Sequence, residues 1–198
     1  MKILLKSLAC FLVLILTVPA LAGTVKEFSA EMVDVQSGRV VQKLAITPDK
    51  IYSESLNAKG QREAVAILRL DQRKMYLFLE ETKSYLEFPF NKEKFTTADL
   101  TLGMVQTKQE KAGSEKVNGY QADKFKISAK VMGMTNTVYH WMAPEFDPLP
   151  IRTEAGGVTM EMRNIKEGRP DAALFEIPQG YTRDKGMEEM MKAMMGAK

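Results

Sequence analysis

A chain of 198 residues with 28 basic and 25 acidic side chains and a single cysteine has the length of one ordinary domain able to bury its own core. The near balance of charge leaves no electrostatic footprint for nucleic acid, and none is expected as a partner. The cysteine, Cys10, sits in an N-terminal apolar run, so the rest of the chain can have no disulfide, no thiolate metal site and no cysteine nucleophile.

That run has the layout of an export signal. Lys2 and Lys6 form a positive head, Leu8 to Val18 an apolar core, and Ala20-Leu21-Ala22 a small-residue cleavage site. Residues 1–22 are therefore expected to be a cleaved signal peptide, the mature chain to begin at Gly23, and the compartment to be the periplasm. The run is shorter than the roughly 20 residues a membrane span needs, so no transmembrane segment is expected in the mature chain. Ser7-Leu8-Ala9-Cys10 is no lipoprotein box, because the apolar core follows the cysteine.

From there the pattern is mostly of period two. Phe28, Ala30 and Met32 alternate with Glu27, Ser29 and Glu31, as in a strand with one apolar and one wet face. Strands of weaker pattern are predicted over Arg39–Ile46, Lys50–Leu56, Glu63–Leu70, Met75–Leu79 and Tyr85–Phe88. Met75–Leu79 is apolar on both faces, with Met75, Leu77 and Leu79 opposite Tyr76 and Phe78. It reads as a central strand covered on both sides. A helix is predicted near Thr97–Val105, with Thr97 as its cap. Phe125, Ile127, Ala129 and Val131 alternate with lysines and Ser128, and Val158, Met160 and Met162 with Thr159, Glu161 and Arg163. Thr137–Met142 and Pro150–Thr153 complete the set. Turn residues at Thr47-Pro48-Asp49-Lys50, Asn57-Ala58-Lys59-Gly60, Asp71-Gln72-Arg73-Lys74, Asn118-Gly119 and Gly156-Gly157 separate the strands, which implies one antiparallel meander.

The chain closes on Met187, Met190, Met191, Met194 and Met195, spaced as one helical stripe. Asp184 is placed to start that helix and Gly196 to end it. Three roles fit the stripe: packing on the domain, a soft apolar surface for a ligand or partner, or thioether capture of Cu(I).

No catalytic constellation emerges. His140 is the one histidine and lies in a predicted strand, where ordinary hydrogen bonds are expected of it. No serine occupies a nucleophile elbow, and one histidine without cysteine cannot supply a zinc ligand set. Glu80-Glu81 and Glu188-Glu189 read as solvated charges. The expectation is a protein that is not an enzyme and has no cofactor and no metal site.

Several segments in order carry a resemblance. Ile67-Leu68-Arg69-Leu70-Asp71 leads to Met75-Tyr76-Leu77-Phe78-Leu79 and Lys83-Ser84-Tyr85-Leu86-Glu87-Phe88-Pro89. Val117-Asn118-Gly119-Tyr120, Tyr139-His140-Trp141-Met142-Ala143 and Leu174-Phe175-Glu176-Ile177-Pro178-Gln179-Gly180-Tyr181 follow. This order resembles an uncharacterised family of bacterial periplasmic proteins in the LolA-like, or outer-membrane lipoprotein carrier, superfamily. The resemblance implies a mainly β fold: a curved antiparallel sheet forming an unclosed half-barrel, with one or two covering helices, over residues 23–183. Residues 184–198 would add the Met-rich helix. Carriers of that superfamily begin with a helix, whereas here Val25 leads almost directly into a strand, so no functional residues are transferred from them.

The resemblance also implies an apolar cavity that takes an acyl chain of a lipid or lipoprotein. Inward strand positions are the candidates to line it: Phe28, Met32, Met75, Leu77, Leu79, Phe125, Ile127, Met160 and Met162. The five terminal methionines are candidates for a lid or a partner surface. The alternatives are an envelope interaction or stress-sensing module, with an envelope protein as partner and a cavity filled by its own helices, and Cu(I) handling by the tail.

Overall fold

A computed structural model describes residues 26–89, 105–131, 134–146 and 149–194. The expected signal peptide, most of the helix expected at Thr97–Val105, Met195 and Gly196 lie outside the described residues.

Period-two patterning is realised as strands β1 (Phe28–Asp34), β2 (Val40–Thr47), β3 (Lys50–Leu56), β4 (Arg62–Arg69), β5 (Lys74–Leu79) and β6 (Ser84–Pro89). The second half adds β7 (Val105–Val117), β8 (Tyr120–Val131), β9 (Met134–Met142), β10 (Pro150–Ala155) and β11 (Val158–Glu167). A two-residue β12 (Thr182–Arg183) precedes the helix α1 (Lys185–Met194), and short 3-10 turns η1 (Pro144–Phe146) and η2 (Ala172–Phe175) lie in the connections. β7 is absent from the sequence reading, and Val105, expected to end a helix, begins it.

The strands form one twelve-stranded sheet in the order β12-β6-β5-β4-β3-β2-β1-β11-β10-β9-β8-β7. This corrects the single meander. Two meanders, β1 to β6 and β7 to β11, are joined side by side where β1 pairs antiparallel with β11. β12 lies parallel to β6. The sheet does not close, since β12 and β7 are its ends. The turn of the β7–β8 hairpin nevertheless reaches back three strands, where the Asn118 side-chain amide donates to the Met162 carbonyl on β11 at 2.9 Å. Asn118 (φ 50°) and Gly119 (φ 89°) take the left-handed conformations that a two-residue hairpin turn requires.

Both faces of the β4–β6 region are covered, as Met75–Leu79 implied. On one face Ala66, Leu77, Leu86 and Phe88 form a buried cluster against which Met75, Met187 and Met191 pack. On the other, Val65, Ile67, Tyr76 and Phe78 are buried with Phe175 of η2, and Tyr85, Leu174 and Tyr181 pack against them. The helix on the first face is α1 at the C-terminus. The largest cluster gathers Phe28, Met32, Leu44, Ile46, Met162, Trp141, Phe146, Leu149 and Ile151, with the Phe28 and Phe146 rings edge to face at 5.2 Å.

Candidate functional site

Side chains opposite one another in a β-ladder share a face, so the register sorts the candidates. Phe28 stands opposite Ile46 and Met32 opposite both Gln42 and Met162. The same alternation, carried through β3 and β4, puts Met75, Leu77 and Leu79 on that face. In the other direction Met160 faces Thr153, Thr153 faces His140, His140 faces Phe125, and Val138 faces Ile127. Every strand residue singled out from the sequence therefore lies on one side of the sheet, the first face.

The structure divides that face into three zones. In the first, α1 seats Met187 and Met191 on the Leu77, Leu86 and Phe88 cluster. The Asp184 carboxylate caps the helix by accepting from the Met187 N–H at 2.9 Å. Glu188 corrects the expectation of a solvated charge. It is 2% exposed, accepts the backbone N–H of Glu87 at 2.8 Å and is held by Arg183 at 2.9 and 3.0 Å. Hydrogen bonding to Glu188 in turn raises the Arg183 pKa. Met190 leaves the stripe and is exposed. Met194 lies in the helix, and Met195 outside the described residues.

In the middle zone Phe28, Met32 and Met162 are fully buried and packed with Phe146, Leu149 and Ile151. The chain fills this part of the face with its own side chains. Met160 is half-buried at its margin, and Leu79, on the strand beside α1's cluster, is half-buried as well.

The third zone crosses β7 to β11 and then β1. One row of the ladder reads Lys111, Phe125, His140, Thr153, Met160 and Asp34. Ile127 is buried beside it and Phe125 is half-buried. His140 and Thr153 are 1% and 0% exposed, and among the described residues neither imidazole nitrogen nor the threonine hydroxyl has a hydrogen-bond partner. Ordinary hydrogen bonds are expected of this histidine, and the described residues provide none. Burial pushes the imidazole pKa down to about 4. No sequence pattern reveals this pair, because it arises from the pairing of β9 with β10.

The second face has a different chemistry. At the far end Trp141 lies between the Lys124 ammonium, 4.4 Å from its ring centre, and the Arg152 guanidinium at 5.3 Å. Burial opposes ionisation of Glu161, but hydrogen bonds from Arg152 and Arg163 outweigh it and hold the carboxyl below its ordinary pKa. Glu54 follows the same logic: burial is overcome by the Tyr52 hydroxyl, which donates to it at 2.6 Å, and by Arg62 and Lys43. Glu80 is also more than a solvated charge, since it accepts from Tyr181 and pairs with Lys83 at 2.6 Å. Each of these carboxylates is matched to a cation in a structural tie, and none stands beside an activated nucleophile. Among the described residues no group of histidine, cysteine and carboxylate side chains is placed to hold a metal ion. No described helix is long and apolar enough to cross a membrane.

Comparison with known proteins adds a family and a fold. A family model described as a domain of unknown function, DUF4412, matches residues 29–149. No curated protein matches the sequence. Among solved structures the chain is similar to an uncharacterised conserved protein from Thermus thermophilus, with 12% identity, a TM-score of 0.50, and coverage of 80% of this chain and 91% of that one. It is also similar to the lipoprotein LppX of Mycobacterium tuberculosis, at 13% identity and TM-score 0.36 over 75% of this chain and 88% of that one. A Vibrio parahaemolyticus domain named for outer membrane lipoprotein sorting matches at 10% identity and TM-score 0.28, over 77% and 90% of the two chains. At such identities the likeness concerns the fold alone.

Proposed function

The chain belongs to the DUF4412 family, and we propose that it is a periplasmic binding protein that takes an acyl chain, of a lipid or a lipoprotein, on the first face of its sheet without performing chemistry on it. The observation that carries this reading is the gathering of apolar side chains on one face. One side of an open sheet bears Phe28, Met32, Leu77, Leu79, Phe125, Ile127, Met160 and Met162, and sites for apolar ligands are lined in this way. The compartment is inferred from the signal-like residues 1–22. An acyl chain would run along the third zone, past Phe125 and Ile127 toward Met160, because the chain itself fills the middle zone.

That filling also favours a second reading. A face occupied by Phe146, Leu149 and α1 suits an interaction module whose apolar groove is closed by its own segments. Native mass spectrometry of protein released gently from the periplasm separates the two. The binding reading expects an adduct of lipid mass that organic extraction removes. Lipid-free protein that also fails to take up an added monoacylglycerol would overturn it and leave the interaction module.

A further inference from the structure

Among the described residues His140 and Thr153 are unusual in being unpartnered together. Buried polar side chains nearly always find a hydrogen-bond partner, and each exception calls for an explanation. Here two exceptions stand directly opposite one another across β9 and β10, where Cβ atoms are about 4.5–5.5 Å apart. Their row-mates on the same face are the apolar Phe125 and Met160. A polar pair set in an apolar wall is how a greasy site fixes one polar atom of its ligand. A neutral imidazole offers one N–H donor and one nitrogen acceptor, and a threonine hydroxyl adds a second donor. Two donors side by side suit one carbonyl oxygen, which has two lone pairs, and the remaining imidazole nitrogen suits a hydroxyl.

Charge narrows the ligand further. The charged groups of the row are at its ends, and both are engaged. Lys111 pairs with Asp123 at 2.7 Å, and Asp34 accepts the Ser37 hydroxyl at 2.7 Å. No free cation on the row could neutralise a carboxylate, and an unpaired buried charge is heavily penalised. We propose that His140 and Thr153 together hold the carbonyl of an uncharged acyl ester, so that the ligand is an ester-linked acyl lipid of the glyceride kind and not a fatty-acid anion. Burial keeps the imidazole neutral above about pH 4, as this role requires. The inference rests on the acyl-binding reading and specifies the head group that reading leaves open. A free monoacylglycerol and the diacylglyceryl group of a lipoprotein share this chemistry.

Binding of 1-monooleoylglycerol, of a diacylated lipopeptide and of oleate is to be measured at pH 7.5 on the full chain, His140→Phe and Thr153→Val. His140 is the one histidine, so its ring nitrogens give an isolated NMR signal. Wild type should bind at least one ester ligand about tenfold tighter than oleate, and that ligand should shift the ring nitrogen signal. Thr153→Val keeps the shape of the side chain and should weaken the ester ligand threefold or more. His140→Phe should weaken it about tenfold, with oleate affinity unchanged in both variants. A preference for the lipopeptide over the monoacylglycerol would identify a lipoprotein as the source of the ester. Oleate bound as tightly as either ester, or ester binding indifferent to both substitutions, would overturn the inference and leave the pair hydrated by a bound water. Failure of all three ligands to bind would overturn the acyl-binding reading itself.

Discussion

An imidazole without a partner burdens the folded chain, and His140 should make that visible in the dependence of stability on pH. Its folded pKa is about 4, against about 6.5 in an unfolded chain. The unfolded state therefore takes up a proton first, and stability falls as the pH is lowered through this window. The contribution is complete above about pH 6.5 and lost progressively down to about pH 4, amounting to about 3 kcal/mol. Urea unfolding at pH 7 and pH 4.5 should show the fall. His140→Phe should remove this part of it and raise stability at pH 7 by about 1–2 kcal/mol, since an unsatisfied polar group gives way to an apolar one. Equal pH dependence in wild type and variant would mean the imidazole is solvated. Ile127 makes a complementary case. It is 4% exposed on the apolar side of β8, so Ile127→Asp buries an unpaired charge and should cost about 4 kcal/mol or more. Lys126→Asp, on the other face, should cost under about 1 kcal/mol. Equal melting temperatures would overturn the register of this strand.

At the scale of elements, α1 depends on one carboxylate. Glu188 joins the helix to β6 through the Glu87 N–H and to the approach strand through Arg183. Glu188→Ala leaves those donors without this acceptor and should cost about 2–3 kcal/mol. If α1 is a lid, the variant should bind more of an apolar dye while far-UV circular dichroism keeps its sheet signal. Loss of the sheet signal would make the helix part of the core. The helix was legible in the sequence through the methionine spacing and Asp184, but its anchor was not, because Glu188 resembles any helix-surface glutamate until β6 lies beneath it. Strands were legible where one face is apolar and turn residues punctuate. β3 has the bounds read from Lys50–Leu56, set between Pro48-Asp49 and Asn57 to Gly60. β7 escaped notice because Lys108 to Lys116 is exposed on both faces, so its hydropathy has no phase. That charge also suits the strand to its place at the open edge of the sheet, where it deters pairing with another chain.

Across the whole molecule, the order of strands was illegible, since local pattern carries no information on which distant strand lies next to which. It decides how the domain holds together. Among the described strands the β1–β11 ladder joins the two meanders, with β2 on the other side of β1. The family model ends at residue 149, before β10 and β11 begin. A chain cut after Leu149 would lose Met162, exposing Phe28 and Met32 and the edge of β1 that pairs with β11. It should show no cooperative urea transition and should associate as concentration rises, as analytical ultracentrifugation would detect. A sharp monomeric transition in that fragment would show the first meander to be a folding unit by itself.

The β1–β11 seam also sets a timetable. Asn164 donates to Glu31 across it, 133 positions along the chain. Synthesis at roughly 5–20 residues per second puts on the order of ten seconds between the emergence of the two partners. During that interval the first strand has its hairpin neighbour but nothing on its other side, and the final sheet cannot assemble however fast each hairpin forms. The two halves of the sheet therefore cannot be joined until almost all of the chain has been made, a delay that would suit a protein that must pass through a narrow channel before it folds.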